Sequence, residues 1–297
     1  MAGVVLAIGK FESIHQGHKA LLVETVRHAK EKKLTPAAMV FEPHPSKVLG
    51  NTHYKPLFTE AERTYLITKC GVDKILTCHF DKAFSKLSPI AFCKKIFNEY
   101  KAREIIVGEN YRFGFKREGT VETLQYEASK FGAKVSVVKM AKNIDNLPIS
   151  TSIIRSLLVE NRLPEANAML GFPFFTMGIT EKGRQLGRTL GFPTLNIYPD
   201  ENKFLPADGV YSTRVTLDGE AMQSITNIGF RPTVNASHAM VHRSVETHIL
   251  NSVGHFKEET YHRPIKVEFL KFIRSEKRFD TLDELKQQIL QDIHFAT

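Results

Sequence analysis

From Gly3 to Met140 the sequence alternates short apolar runs with amphipathic stretches, and this alternation limits the possible folds more than any other feature. GVVLAI (3–8), TPAAMVFEP (35–43), VDKILTCHF (72–80), REIIVG (103–108) and AKVSVVKM (133–140) read as strands. GHKALLVETVRHAKEKK (17–33), ERTYLITKCG (62–71), SPIAFCKKIFNEYKA (88–102) and TVETLQYEASKFG (120–132) read as helices. In the first helix, Ala20, Leu21, Val23, Val26 and Ala29 form the expected core face. Such strand–helix repetition predicts a parallel sheet covered by helices, with ligands at the carboxyl ends of the strands.

Near residue 163 the pattern changes. After SIIRSLLVENRLPEANAMLG, a helical stretch broken at Pro164, come short segments rich in Val, Thr, Ile and Phe: FFTMGIT, TLNIYP, GVYSTRVTL, SITNIG, SVETHIL and IKVEFLKFI. Gly, Pro and Asn punctuate them, as in a small antiparallel barrel or sandwich. TLDELKQQILQDI (281–293) then reads as a closing helix, with Thr281 as N-cap and Glu284 completing a capping box. The expectation is an α/β domain over 1–162, a linker over 163–176 and a β-barrel domain over 177–297.

A chain of 297 residues can bury two such cores. No apolar run reaches the ~20 residues of a membrane span, and the first residues lack the basic flank and long apolar core of a signal peptide. The expected location is the cytoplasm, with no membrane partner. Cys70, Cys78 and Cys93 have no metal-type spacing and read as reduced structural thiols. The net charge of +9 is uneven: residues 1–170 carry 26 Lys and Arg against 17 Asp and Glu, and the remainder 15 against 15. Without a basic run or an aromatic-interleaved tract, this excess fits a solvated surface or a cleft for polyanionic small molecules better than nucleic acid.

The chemistry-bearing stretch is GKFESIHQGH (9–18), between the first strand and the first helix. A helix N-terminus offers unpaired N–H groups and partial positive charge to a phosphate. Gly17 permits close approach, and His15 and His18 can donate to a phosphate gaining charge in a transition state; the alternative is two unrelated surface histidines. In PISTSIIRS, Ser150, Thr151 and Arg155 gather hydroxyls and a guanidinium at another helix start, either for a triphosphate tail or, for the hydroxyls, as an ordinary cap. The two motifs together have the layout of nucleotidyltransferases that attack the α-phosphate of ATP and expel pyrophosphate.

Over nearly its whole length the chain resembles the prokaryotic bifunctional riboflavin kinase/FAD synthetases. GKFESIHQGH is similar to the family's G-N-F-D-G-x-H-x-G-H, FEPHP (41–45) matches as it stands, VGENYRFGFKREG (107–119) is similar to G-x-[DN]-[FY]-x-F-G-x-x-x-x-G, and ISTSIIR looks like I-S-S-T-x-I-R. GRQLGRTLGFPTLNI (183–197) resembles the flavokinase G-x-x-x-G-R-x-L-G-[FY]-P-T-x-N signature, and LPADGVY, NIGFRPT, VETHIL and KVEFLKFIRSEKRF follow in the family's order.

The resemblance implies a Rossmann-like HxGH nucleotidyltransferase domain acting as FMN adenylyltransferase, then a riboflavin kinase-like barrel. In the first, His15 and His18 would stabilise the transferring phosphate, Gly9, Phe11 and Gly17 would line the ATP site, and Ser150, Thr151 and Arg155 would hold the β- and γ-phosphates. His44, Asn110, Tyr111 and Phe113 would contact flavin or nucleotide. In the barrel, Gly183 to Gly187 would lie over the ATP phosphates, Thr194 and Asn196 would offer oxygens to Mg²⁺ and ATP, and Glu246 would take the proton of the ribityl 5′-hydroxyl. Glu246 has the alternative of a strand carboxylate paired with Arg243 or His248, and Arg231 is either a flavin or phosphate contact or a turn-closing residue. The implied small molecules are ATP, Mg²⁺, riboflavin, FMN and FAD.

The chain departs from the family at Lys10, Glu12 and Ser13, where Asn, Asp and Gly are usual, and Ser13 is expected to cost backbone freedom. In the barrel Asn251-Ser252 replaces Asp-Phe, and Tyr261-His262 replaces Tyr-Gly. These departures leave two further readings: an adenylyltransferase with a silent barrel, or a non-catalytic flavin or RNA sensor.

Overall fold

The computed structural model describes residues 3–139, 149–183, 186–232, 241–250 and 260–296. The chain divides into two compact units, Met1–Thr151 and Ser152–Thr297. In the first, five strands, β1 (Val4–Ile8), β2 (Thr35–Glu42), β3 (Lys74–His79), β4 (Ala102–Gly108) and β5 (Lys134–Val138), form a parallel sheet in the order β3-β2-β1-β4-β5. All five residues of β1 are buried, as expected of a strand covered on both faces. The order reverses between β1 and β4, so a crevice opens at the carboxyl ends of these two strands.

Helices α1 (Gln16–Lys32), α2 (Pro45–Val48), α3 (Glu60–Lys69), α4 (Pro89–Glu99) and α5 (Val121–Ser129) complete the unit. Leu21 and Ala29 of α1 pack on Val5 and Ile106, while Phe92, Ile96 and Phe97 of α4 and Leu124 of α5 pack with Leu6, Ile8, Ile105 and Val107 of alternate strand positions. The buried face of α1 is Leu21, Leu22, Thr25 and Ala29. Val23, expected inside, is 47% exposed. Thr25 replaces it because its hydroxyl is satisfied within the helix, donating to the Leu21 carbonyl at 2.7 Å.

Helix α6 (Thr151–Val159) begins at the division between the units, and α7 (Leu163–Leu170) follows. The segment 163–176 expected as a linker is therefore helix, cap and the start of a strand. Pro164 disrupts the preceding pattern yet suits the first turn of α7. Asn167 ties α7 to the barrel, donating to the Phe269 carbonyl at 2.9 Å and accepting from Phe174 N at 2.7 Å.

Beyond α7 lie β6 (Phe175–Ile179), α8 (Leu186–Thr189), β7 (Leu195–Ile197), β8 (Gly209–Leu217), β9 (Glu220–Pro232), β10 (Val241–Ile249) and β11 (Pro264–Arg274). The antiparallel sheet runs β6-β11-β8-β9-β10-β7, and Glu181 N donates to Asn196 O at 2.8 Å, which brings its two edges together and nearly closes the barrel. The closing helix α9 spans Leu282–Ala296. Its expected capping box is displaced: Thr281 Oγ1 accepts from Glu284 N at 3.2 Å, but the Glu284 carboxylate accepts from Asp280 N instead of Thr281 N.

Among the described residues no helix is long and apolar enough to cross a membrane. The three cysteines are free. Burial raises each thiol, that of Cys93 to about 12, which leaves them protonated and unreactive at neutral pH.

Candidate active sites

In the first unit, β1 ends at Ile8 and the chain turns through Gly9 to Ile14 before α1 starts. Phe11 and Ile14, both fully enclosed, adopt left-handed backbone with φ of 45° each. Such conformations persist only where the surroundings impose them, and they concentrate at functional sites. Ser13, by contrast, is absent from the positive-φ residues, so the serine in place of glycine costs no backbone strain. The Phe11 ring lies below Gly9 and 5.3 Å from the His18 ring.

His15 is the N-cap of α1, its Nδ1 accepting from His18 N at 3.3 Å. The two imidazoles stack with centroids 4.0 Å apart. Gly17, half-buried, lies between them in the first turn. His18 Nδ1 is buried without a hydrogen-bond partner among the described residues, an exception to the rule that buried polar atoms are bonded.

Burial lowers the His15 pKa to about 4, and it holds His18 well below the usual histidine value, with help from the charges of His15 and Lys10. Both rings are therefore neutral at pH 7 and act as hydrogen-bonding groups, not cations. The sign for stability follows from proton uptake. Between pH 6.5 and about 4 the unfolded chain binds a proton at His15 that the folded chain refuses, so stability falls as pH drops through that window. The loss attributable to His15 is about 3 kcal/mol by pH 4. Urea midpoints measured from pH 7 to 4 should decline, and His15→Gln should decline less; equal slopes would contradict the assignment.

Other motif residues gather here. Ser13 is fully buried and its hydroxyl lies 2.8 Å from that of Thr151, at the start of α6, with Ser150 preceding it. His44 caps α2, accepting from Ser46 N at 3.2 Å, stacks on Tyr54 at 4.3 Å, and has Nε2 3.7 Å from Glu12 Oε2. Glu12 thus joins the first motif to FEPHP. Asn110 is exposed in the turn after β4, and Tyr111 stacks on Phe113 at 5.6 Å. Phe113 itself is core, 5.1 Å from Phe92. Arg155 belongs to the second unit, where its guanidinium lies over the Phe204 ring at 4.8 Å.

In the second unit, Glu246 on β10 pairs in register with Asn196 of β7 on one side and Asn227 of β9 on the other. The Asn196 amide, oriented to satisfy both its ends, donates to Glu246 Oε1 at 2.6 Å and accepts from Gly183 N at 3.1 Å. A Cβ on Gly183 would fall 2.4 Å from Asn196 Nδ2, and one on Gly187 2.3 Å from the Phe192 carbonyl oxygen. Only glycine lets the loop lie this close. The alternative partners of Glu246 are engaged elsewhere: Arg243 binds Asp208 at 2.5 Å, and His248 Nδ1 lies 2.8 Å from the Pro193 carbonyl. Burial lowers the His248 pKa, so it donates that bond as a neutral ring.

Gly187, Thr194 and Glu246 open onto a cavity of about 550 Å³, roomy enough for a flat heteroaromatic ligand. Its far wall contains residues that the motifs did not nominate, notably Asn227, Arg274, Phe279, Leu285 and Ile289. Arg274 is fixed by Asp292 of α9, 2.7 Å away and 1% exposed. Only KVEFLKFIRSEKRF pointed toward this wall. The departure at His262 is accommodated: its φ is 60°, the left-handed conformation that histidine tolerates better than most residues, and its N–H donates to Thr180 O at 2.8 Å. Asn251 and Ser252, and the Arg231 side chain, lie outside the described residues.

Comparison with known proteins gives each unit a counterpart. The family described as FAD synthetase matches residues 1–153, and that described as riboflavin kinase matches 170–297. A bifunctional riboflavin kinase/FMN adenylyltransferase of Escherichia coli K12 is 34% identical over 98% of this chain and 90% of its own length. The protein of the same description from Bacillus subtilis strain 168 is 32% identical over 97% and 90%. A crystal structure described as a macrolide-efflux protein from Streptococcus pneumoniae superposes with a TM-score of 0.85 at 25% identity, over 100% of this chain and 94% of that one.

Proposed function

The chain belongs to the family of bifunctional riboflavin kinase/FMN adenylyltransferases, and we propose that it makes FMN in its second unit and FAD in its first. In the second unit the ribityl 5′-hydroxyl of riboflavin attacks the γ-phosphorus of ATP, and ADP leaves. In the first, a phosphate oxygen of FMN attacks the α-phosphorus of ATP, the bond to the β-phosphate breaks, and pyrophosphate leaves.

The observation that carries the adenylyl-transfer reading is the stacked pair of neutral imidazoles at the N-terminus of α1, one with a buried nitrogen unsatisfied among the described residues. The N–H groups of α1 receive the phosphate, and His15 and His18 donate to oxygens whose charge grows in the transition state. Ser150 and Thr151 take the departing phosphates. Phe41, Phe80 and Phe84, partly exposed, form an aromatic group near the carboxyl ends of β2 and β3 against which the flavin rings lie, backed by the buried Phe92 and Phe113. The chemistry is positioning and electrostatics in line with the breaking bond.

In the barrel, riboflavin occupies the cavity between the strands and α9, with its hydroxyl end toward Glu246. Glu246 accepts the proton as the oxygen attacks, held in place by Asn196. Gly183 and Gly187, which have no room for a Cβ, let the loop backbone lie close over the ATP phosphates. Thr194 and Asn196 would hold Mg²⁺ that enters with ATP, their neutral hard oxygens suiting that ion, and Mg²⁺ would neutralise charge on the transferring phosphate. Three free cysteines and an ATP requirement favour the cytoplasm.

Chromatography of flavins after incubation with Mg²⁺ and ATP tests the proposal. FAD should form from FMN, and FMN then FAD from riboflavin. FAD from FMN alone would reduce the chain to an adenylyltransferase with a silent barrel, and neither product would favour the sensor reading.

A further inference from the structure

We propose that Ser13 is a positioning residue for the outer phosphates of ATP, acting through the hydroxyl of Thr151. This inference rests on the adenylyltransferase reading of the first unit and adds a residue that the family pattern, with glycine at that place, does not contain.

Ser13 has no exposed surface, and its hydroxyl lies 2.8 Å from that of Thr151, a residue 138 positions later in the chain. The serine is itself held firmly, since Phe11 and Ile14 on either side are enclosed residues in left-handed conformations. Thr151 is half-buried and opens α6. A hydroxyl carries one donor and two acceptor positions, and in a bonded pair only one oxygen donates to the other.

An anion settles which one. A phosphate oxygen can only accept from Thr151, so the Thr151 proton turns outward and Ser13 becomes the donor within the pair. The result is a chain from Ser13 O–H to Thr151 O–H to phosphate oxygen, in which each bond polarises the next. Once ATP is bound, Ser13 thereby orients the Thr151 hydroxyl and strengthens it as a donor. Glycine or alanine at position 13 would remove that support and leave the Thr151 oxygen without its buried donor. The affected atoms are the β- and γ-phosphates, so pyrophosphate should feel the change and AMP should not.

Steady-state adenylyl transfer with the full-length protein tests this. In Ser13→Ala the KM for ATP should rise about three- to tenfold, the scale of one hydrogen bond, with kcat nearly unchanged. The inhibition constant for pyrophosphate should rise by a similar factor and that for AMP should stay constant. Ser13→Thr should restore the wild-type values. Thr151→Val, which removes the phosphate contact itself, should raise both constants at least as far, and the double variant should lose no more than Thr151→Val alone; Ser13→Gly, the residue usual at that place, should match Ser13→Ala and decides the matter if the alanine variant does not fold. Unchanged ATP KM and pyrophosphate inhibition in a folded variant would overturn the role of Ser13 while leaving FAD synthesis intact. A wild-type chain that makes no FAD from FMN would overturn both readings.

Discussion

His18→Ala should lower FAD formation from FMN by about 10²- to 10³-fold, the usual effect of deleting one preorganised donor to a developing oxyanion, and leave FMN formation from riboflavin intact. The ring is half-buried, neutral and stacked on His15, which holds it in place before a phosphate arrives. Lys10, exposed at the end of the loop, contributes charge that keeps the ring neutral, so lysine in place of the family's asparagine is compatible with an uncharged donor. Flavin chromatography on the purified variant reads both activities at once. Equal loss of the two would refute separate sites.

Glu246→Gln should have the opposite effect, reducing riboflavin phosphorylation by about 10²- to 10⁴-fold without changing adenylyl transfer from supplied FMN. The substitution keeps the size of the side chain and its contact with Asn196 while removing its capacity to take a proton. Arg243 is bonded to Asp208, and His248 Nδ1 to the Pro193 carbonyl. Glu246 instead shares the wall of the cavity with Thr194 and Gly187. An unchanged phosphorylation rate in Glu246→Gln would remove it as the base.

Much of this architecture could be read from the chain because local periodicity and tertiary burial agree. Every strand expected in the first unit is present: β1, covered on both faces, is wholly apolar, and the edge strands β3 and β5 keep enough apolar residues in short runs to register. The misplacements occur where that agreement fails. Strand β9 runs over Glu220–Pro232, well beyond SITNIG, because β8 and β10 pair with its backbone along its length regardless of side chain. Its Phe230 is 57% exposed and gives no alternating signal. Val23 mimicked a core position because apolar spacing alone cannot register a buried threonine whose hydroxyl bonds within its own helix. The helical stretch broken at Pro164 is two helices, α6 and α7, because proline ends one helix and suits the first turn of the next.

The sites divide along the same line. His15, His18, Gly183, Asn196 and Glu246 stand in compact motifs whose chemistry can be argued from residue type and spacing. The wall formed by Arg274, Leu285 and Ile289 could not be, because it exists only once α9 has folded back on the barrel and Asp292 has taken the Arg274 guanidinium. The Ser13–Thr151 hydroxyl pair is equally invisible in sequence, joining two positions 138 residues apart.

Two independent sites on one chain make a demand that a single mixture can meet or fail. Neither His18→Ala nor Glu246→Gln alone should carry riboflavin to FAD at more than a trace. Mixed in equal amounts with riboflavin, Mg²⁺ and ATP, they should restore FAD formation, because FMN released by the first variant is adenylylated by the second. A mixture that accumulates FMN without FAD, although Glu246→Gln converts supplied FMN, would show that FMN does not pass freely between chains; a mixture that forms neither product would contradict the account.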